Sequence, residues 1–153
     1  MITSTSSSQV KHVVNLQKKA KLRKEEKQFV VEGVKMVSEA PADRLVKVYV
    51  SETFKADNEE FLERMNYDSI GKDVLEIVTD NVFMRMADTQ TPQGIMAVVR
   101  MSDTDLEGIL SDKRNPLLLI IENLQDPGNL GTIVRMAEGA GVTGIIMSSN
   151  TVD

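Results

Sequence analysis

Hydrophobic residues recur over the first 101 positions in short blocks whose spacing alternates between that of helices and that of strands. Residues 8–26 predict an amphipathic, basic helix, with lysines around most of it and one apolar side made of Val10, Val13, Val14 and Leu16 or Gln17. Short β-prone or alternating runs predict strands at residues 28–31, 44–50, 74–78 and 94–101. Helical spacing between these runs predicts helices at residues 34–40, 58–65 and 80–86. Strands separated by helices favour a three-layer α/β/α sandwich over a first domain, residues 1–101.

The pattern changes after residue 101. Residues 102–115 are rich in charge around a few apolar positions, so we predict a linker containing a short helix. Residues 116–121 form an apolar run that predicts a strand buried on both faces, followed by a helix at 128–140 and another buried strand at 143–147. This is one βαβ unit, which is too small to close a core of its own. We therefore expect residues 116–153 to be an incomplete second domain.

Charge is distributed unevenly along the chain. The net charge is −5, yet residues 1–31 hold seven Lys or Arg side chains against two Glu, so this basic arm (residues 1–31) is positive and the remainder is strongly acidic. A basic arm on an acidic body can engage phosphates locally, as nucleic-acid-binding proteins do. A solvated helix face explains the same charges without any ligand, and the charge pattern alone leaves both interpretations open.

Composition excludes several classes of site. The chain has no cysteine and one histidine, which removes disulfides, thiolate metal sites, a cysteine nucleophile and any cluster or triad that needs several histidines. We accordingly predict no metal site. No apolar stretch reaches the length of a membrane span, and the polar start of the chain has no apolar signal region, so we expect a cytoplasmic protein without a membrane partner.

The segment from residue 120 to residue 141 carries the most specific pattern. A buried strand ends, a turn containing Asp126, Pro127 and Asn129 follows, and a helix begins. Loops at the carboxyl ends of parallel strands often hold ligands, and a helix N-terminus attracts phosphate. The sequence matches neither a phosphate loop nor a dinucleotide-binding turn, and the same residues also suit a tight βα connection with no ligand.

The fifteen residues from Asn123 to Ala137, NLQDPGNLGTIVRMA, resemble the first signature motif of the SpoU/TrmH class of RNA ribose 2′-O-methyltransferases, within the SPOUT superfamily of knotted enzymes. The preceding region is similar to that family's substrate-binding domain, a small sandwich like certain kink-turn-binding ribosomal proteins. The runs at residues 29–35 and 91–98 fall where that domain has comparable runs. The resemblance covers nearly the whole chain and implies that residues 116–153 begin a SPOUT knot domain, truncated before the knot.

The resemblance assigns roles to particular residues. It implies that Arg135 is catalytic and that Asn129 lies in the same active site, with Asn123, Asp126 and Gly131 supporting the motif. It also implies an RNA partner, expected to be ribosomal RNA, and the basic arm supplies the candidate contacts: Lys11, Lys18, Lys19, Lys21, Arg23 and Lys24. Glu32 and the Pro92–Gln93–Gly94 turn are expected to be structural.

The methyl donor of the family is S-adenosylmethionine, held by two later motifs in the knot. Those motifs have no counterpart in these 153 residues, so we expect this chain alone to bind no cofactor and to be inactive. The resemblance implies a homodimer for the full-length enzyme and leaves the oligomeric state of this chain open. Two other functions fit the sequence: a stand-alone RNA-binding module without catalysis, and a nucleotide-binding α/β protein that uses the turn as an anion site.

Overall fold

The chain folds into two compact units, Met1–Met101 and Ser102–Asp153. The computed structural model describes residues 1–65, 74–103, 105–111 and 115–152. The segment predicted as a linker is grouped with the second unit, although its residues 104 and 112–114 lie outside the described ones.

The first unit alternates helices and strands. In chain order its elements are α1 (Ser8–Lys18), α2 (Ala20–Glu26), β1 (Gln28–Glu32), α3 (Val34–Glu39), a 3₁₀ turn (Ala42–Arg44), β2 (Leu45–Ser51), α4 (Glu52–Asp57), α5 (Glu59–Met65), β3 (Leu75–Val78), α6 (Asp80–Met86) and β4 (Ile95–Arg100).

Four strands form one mixed sheet in the order β1-β4-β2-β3. β4 runs antiparallel to both β1 and β2, whereas β2 and β3 are parallel. β4 is central, which explains why its five apolar residues from Ile95 to Val99 are all buried. Ile2 forms an isolated bridge with Val78 beyond β3, donating its N–H to the Ile77 carbonyl at 2.8 Å. The Met1 ammonium pairs with Glu76 at 2.9 Å.

Helices cover both faces of this sheet. Alternate residues of each strand point to opposite faces, and both sets are apolar, so both faces need to be covered. On one face Met96 and Val98 pack in a cluster with Val10, Val13 and Leu16 of α1 and with α6. On the other face, residues Ile95, Ala97 and Val99 pack with residues of α3, α4 and α5. The three-layer sandwich predicted from the sequence is therefore present.

The single basic helix predicted for residues 8–26 is wrong, because it is broken at Lys19. Lys19 adopts an extended conformation between α1 and α2. The Arg23 guanidinium Nη1 donates to the carbonyls of Leu16 and Gln17, each at 3.0 Å, and so satisfies acceptors that a continuous helix would have used.

The second unit contains α7 (Leu106–Leu110), β5 (Leu118–Ile121), α8 (Pro127–Gly139) and β6 (Gly144–Met147), and β5 and β6 are parallel. This is the predicted βαβ unit. The predicted burial of both strands is wrong. In β5, Ile121 is buried whereas Ile120, which points to the opposite face, is 72% exposed, and β6 has no buried residue. Within the described part of this unit, the two-stranded sheet has too few layers to cover both faces.

Tyr49 gives the first unit a pH dependence. Burial, with a smaller contribution from the negative charge of Glu76, raises the pKa of its phenol to about 12, and its hydroxyl donates to Gln9 Oε1 at 3.1 Å. An unfolded tyrosine ionises near pH 10, so between about pH 10 and 12 the unfolded state loses its proton first. We expect the free energy of unfolding to decrease as pH rises through this window, measured by urea denaturation. Tyr49→Phe should remove that part of the slope; an unchanged slope in the variant contradicts the assignment.

In the described part of the chain, no helix combines the length and apolar character needed to cross a membrane.

Candidate functional site

The turn predicted to carry chemistry connects β5 to α8. β5 ends at Ile121, and residues 122–126, here called the first turn, lead into α8 at Pro127. Because β6 is parallel to β5, the residues after β6, 148–152, emerge at the same edge of the sheet, and we call them the second turn. The Ser148 N–H donates to the Ile121 carbonyl at 3.0 Å, which joins the ends of the two strands.

Asp126, predicted as a turn residue, caps α8, which starts at Pro127, one residue before the predicted start at 128. Its Oδ1 accepts the backbone N–H of Asn129 at 2.6 Å, and its carbonyl accepts the N–H of Leu130 at 3.0 Å. Pro127 occupies the start of the helix, where a missing N–H costs nothing. The side chain of Asp126 is therefore engaged in holding the helix N-terminus, and the side chain of Asn129 stays exposed.

Asn123 holds the start of the first turn. Its φ of +54° is in the left-handed region, which asparagine tolerates better than most residues. Its backbone N–H donates to Ser148 Oγ at 2.9 Å, and its Oδ1 accepts from Gln125 Nε2 at 3.1 Å. Asn123 thus acts within the turn as a structural residue, together with Gln125, which the sequence analysis did not single out.

One face of α8 is nearly free of side chains between its N-terminus and Arg135. This face begins at Gly128 and includes the residues three, four and seven positions later, which are Gly131, Thr132 and Arg135. A Cβ added at Gly131 would meet no atom within 4 Å among the described residues. Helical side chains lean toward the N-terminus, and Arg135 follows this rule, since its Nη2 lies 3.5 Å from Thr132 Oγ1. The glycine at 131 leaves space beside the guanidinium.

The Arg135 guanidinium is not neutralised by an acidic neighbour in the part of the chain that the structure describes. The side chain is exposed and makes one long hydrogen bond, the contact to Thr132. Asn129 lies six residues earlier, about 9 Å along the helix axis at the usual rise. The arrangement therefore offers one exposed amide near the helix N-terminus and one exposed cation further along, with hydroxyl and backbone groups between them. Such a surface suits an extended anionic ligand.

The six candidate RNA contacts lie in the first unit. They occupy α1 (Lys11, Lys18), the break (Lys19) and α2 (Lys21, Arg23, Lys24). Arg23 is half-buried and is engaged with the end of α1, and Lys21 forms an ion pair with Glu25 at 3.7 Å. The other four lysines are exposed and form no ion pair with a described residue.

Glu32 and Gln93 join the loop before β4 to the start of α3. The Glu32 carboxylate accepts from the Asp88 N–H at 3.2 Å and from the Thr89 hydroxyl. Gln93 Oε1 accepts the Val34 N–H at 2.8 Å. Gly94 has a φ of +84°, as the predicted turn requires. These contacts give both residues a structural task. Among the described residues, no three His, Cys, Asp or Glu side chains lie close enough together to hold a metal ion.

Comparison with known families identifies the first unit and supports the fold. Residues 7–97 match the model of the MRM3-like substrate binding domain, and the chain belongs to that family. The predicted resemblance to RNA methyltransferases is confirmed by the family model and by the relatives, and the solved structures share the fold.

Two relatives illustrate the similarity. The chain is 31% identical to human mitochondrial rRNA methyltransferase 3 over 150 residues, which cover 92% of this chain and 33% of the relative. It is 30% identical to the 23S rRNA (guanosine-2′-O-)-methyltransferase RlmB of Haemophilus influenzae, covering 78% of this chain and 49% of that protein. The chain therefore spans about a third to a half of these relatives.

Solved structures share the fold. The AdoMet-bound rRNA methyltransferase from Sinorhizobium meliloti matches 99% of this chain with a TM-score of 0.78 and 24% identity, over 55% of its own length. The SpoU methyltransferase AviRb from Streptomyces viridochromogenes matches 96% of this chain with a TM-score of 0.69 and 22% identity, over 53% of its length. The α/β class predicted from the sequence is confirmed by these matches.

Proposed function

We propose that this chain is part of an S-adenosylmethionine-dependent RNA ribose 2′-O-methyltransferase that acts on ribosomal RNA. In this proposal the first unit and its basic arm bind RNA, and the second unit supplies one side of the active site. The observation that carries the proposal is the exposed guanidinium of Arg135 on the open face of α8, which pairs with no described carboxylate. Asn129 lies at the N-terminus of the same helix. The names of the relatives, all of which span more sequence than this chain, support the choice of reaction.

The chemistry follows from the charges. A guanidinium binds a phosphate through two parallel hydrogen bonds, so Arg135 would hold the phosphate beside the target ribose and fix the sugar in place. The negative charge that develops on the 2′-oxygen as it loses its proton is stabilised by the same cation. An arginine side chain stays protonated in a protein, so Arg135 acts by position and charge and the proton goes to another acceptor. Asn129 would orient the ribose or the backbone through its amide.

S-adenosylmethionine would supply the methyl group that the 2′-oxygen receives. The groups around the first turn do not fit this donor, because adenine is held between apolar walls and the side chains of Asn123, Gln125, Asp126 and Asn129 are polar and exposed. We therefore assign no residue of this chain to the donor. A homodimer for the whole enzyme and a cytoplasmic location belong to the same proposal.

The test is methyl transfer by a polypeptide that contains this chain together with the further length that its relatives possess. Ribosomal RNA lacking the modification is incubated with radiolabelled S-adenosylmethionine and digested to nucleosides. We expect the label in 2′-O-methylated nucleosides. Label confined to the bases, or no label in any RNA tested, contradicts the proposal.

A second candidate, an RNA-binding module without catalysis, is favoured by the exposed lysines of α1 and α2. Phosphate contacts release counterions, so affinity for structured RNA should fall steeply as salt rises. We expect Lys19→Glu to weaken binding and to flatten the salt dependence by about one unit of slope, because one phosphate contact is lost. Lys19 is both the C-cap of α1 and the N-cap of α2, so a carboxylate there opposes the dipole of α1 and suits that of α2. Circular dichroism of the variant should show that both helices are kept.

Lys55→Glu is the matched control, since it changes the same charge on the exposed side of α4. Equal loss of affinity in both variants would mean that overall charge, and no local contact by the basic arm, governs binding.

A further inference from the structure

The first turn and the second turn are fastened to each other although about 25 residues separate them in sequence. The Asn123 N–H donates to Ser148 Oγ at 2.9 Å, and the Val152 N–H donates to the Leu124 carbonyl at 2.8 Å. Ser148 Oγ also lies 3.1 Å from Thr151 Oγ1, which ties the second turn to itself. The loop that leads into α8 is therefore held by a segment that no local sequence pattern connects with it.

Gln125 is at the centre of this arrangement. Its Nε2 donates to the Asn150 carbonyl at 2.7 Å and to Asn123 Oδ1 at 3.1 Å, and it lies 3.5 Å from the Asn123 carbonyl. The side-chain amide of Gln125 thus joins the second turn to Asn123, whose backbone is left-handed. Asparagine tolerates a left-handed conformation better than most residues, and the hydrogen bonds to Ser148 and Gln125 stabilise it further at Asn123.

We propose that Gln125 is a positioning residue: its side-chain amide fastens the first turn to the second turn and thereby sets the direction in which α8 presents Asn129 and Arg135. The geometry supports this because Gln125 immediately precedes Asp126, the residue that caps α8. A change in the direction of the first turn moves Asp126, the cap, and with it the N-terminal residues of α8. This role rests on the proposed function, since it concerns the residues assigned there to RNA.

The first arm of the test measures local order without any ligand. Gln125→Met keeps length and charge and removes both donors, whereas Gln125→Lys keeps a donor within reach of the same acceptors. Amide hydrogen exchange is followed at Asn123 and Val152, whose N–H groups join the two turns, and at Ala140, which bonds Met136 at the far end of α8. We expect exchange at the two turn amides to be about 5- to 30-fold faster in Gln125→Met and close to the parent rate in Gln125→Lys, with Ala140 unchanged.

The second arm measures RNA binding in the whole chain. A single-stranded RNA oligonucleotide is titrated while the backbone amide shifts of Asn129 and Gly131 are recorded. We expect Gln125→Met to bind the RNA about fivefold more weakly, because ordering the first turn then costs part of the binding free energy. Gln125→Lys should bind at least as tightly as the parent chain. Gln90→Met, an exposed change in the first unit, is the control and should alter neither measurement.

Each outcome decides the proposal. Unchanged exchange in Gln125→Met overturns it, and so does faster exchange that includes Ala140, which would mean loss of overall stability. Faster local exchange with unchanged RNA affinity also overturns it, because the turn would then be held without consequence for the ligand. If the parent chain shows no RNA-induced shift at Asn129, the proposed function fails at this site and the positioning role fails with it, while the exchange data separately decide whether Gln125 fastens the turns.

Discussion

Under the proposed function, Arg135→Ala in a polypeptide that contains this chain and the further length of its relatives is expected to lower the rate of 2′-O-methylation by about 10²- to 10³-fold. This is the usual loss when one group that stabilises a developing charge is removed. The side chain is exposed and makes only the contact to Thr132 among the described residues, so the free energy of unfolding should change by less than about 0.5 kcal/mol. A fall in rate without a fall in stability separates a role in the reaction from a role in folding.

Two further variants sharpen this measurement. Arg135→Lys keeps the charge and loses the planar, two-pronged geometry, so its rate should lie between those of the parent and the alanine variant. Glu138→Gln, an exposed change one turn further along α8, should leave the rate unaltered. A normal rate in Arg135→Ala would mean that the guanidinium does not take part in the reaction.

Gly94→Ala is expected to destabilise the first unit by about 2–4 kcal/mol. Gly94 has a φ of +84°, and a Cβ added there would lie 2.8 Å from Phe54 Cβ and 3.0 Å from Ser51 Oγ. Phe54 is buried in the core and Ser51 caps α4, so neither atom moves without loss of other contacts. The loss should appear in urea denaturation followed by circular dichroism.

Gly33→Ala provides the comparison for this substitution. Gly33 has a φ of +97°, but the atom nearest to an added Cβ, at 2.9 Å, is the end of the flexible Gln93 side chain. The variant should therefore lose less stability than Gly94→Ala, mainly the cost of the backbone conformation and of a weakened bond to Val34. An equal or larger loss in Gly33→Ala would show that the contact with Phe54 is not decisive.

Most of the fold of the first unit could be predicted from local sequence, because the spacing of apolar residues indicates which face of each helix or strand is buried. The strands of the first unit were predicted within one or two residues, and the central position of β4 follows from its unbroken apolar run. Two features of the first unit were not predicted from the sequence. The break at Lys19 depends on Arg23 reaching back to the carbonyls of α1, and α4 depends on Ser51 accepting the Phe54 N–H, a cap that follows directly from a strand end.

The candidate site also has features that the sequence predicts and features that it does not. The turn containing Asp126 and Pro127 was predicted, with α8 starting one residue late at 128, because turn formation depends on adjacent residues. The contacts of Gln125 with Asn150 could not be predicted, since nothing in either segment specifies a partner 25 residues away. The roles of Asn129 and Arg135 came from the resemblance and stay predictions.

The N-terminus pairs with Glu76 while Ile2 extends the sheet beside β3, so the first two residues are part of the folded structure. A purification tag fused before Met1 would convert that ammonium into a neutral amide and would place a foreign peptide at the edge of the sheet. Glu76 would keep Lys47, at 3.8 Å, as a neighbouring cation. We therefore expect a peptide fused before Met1 to perturb this edge of the first unit.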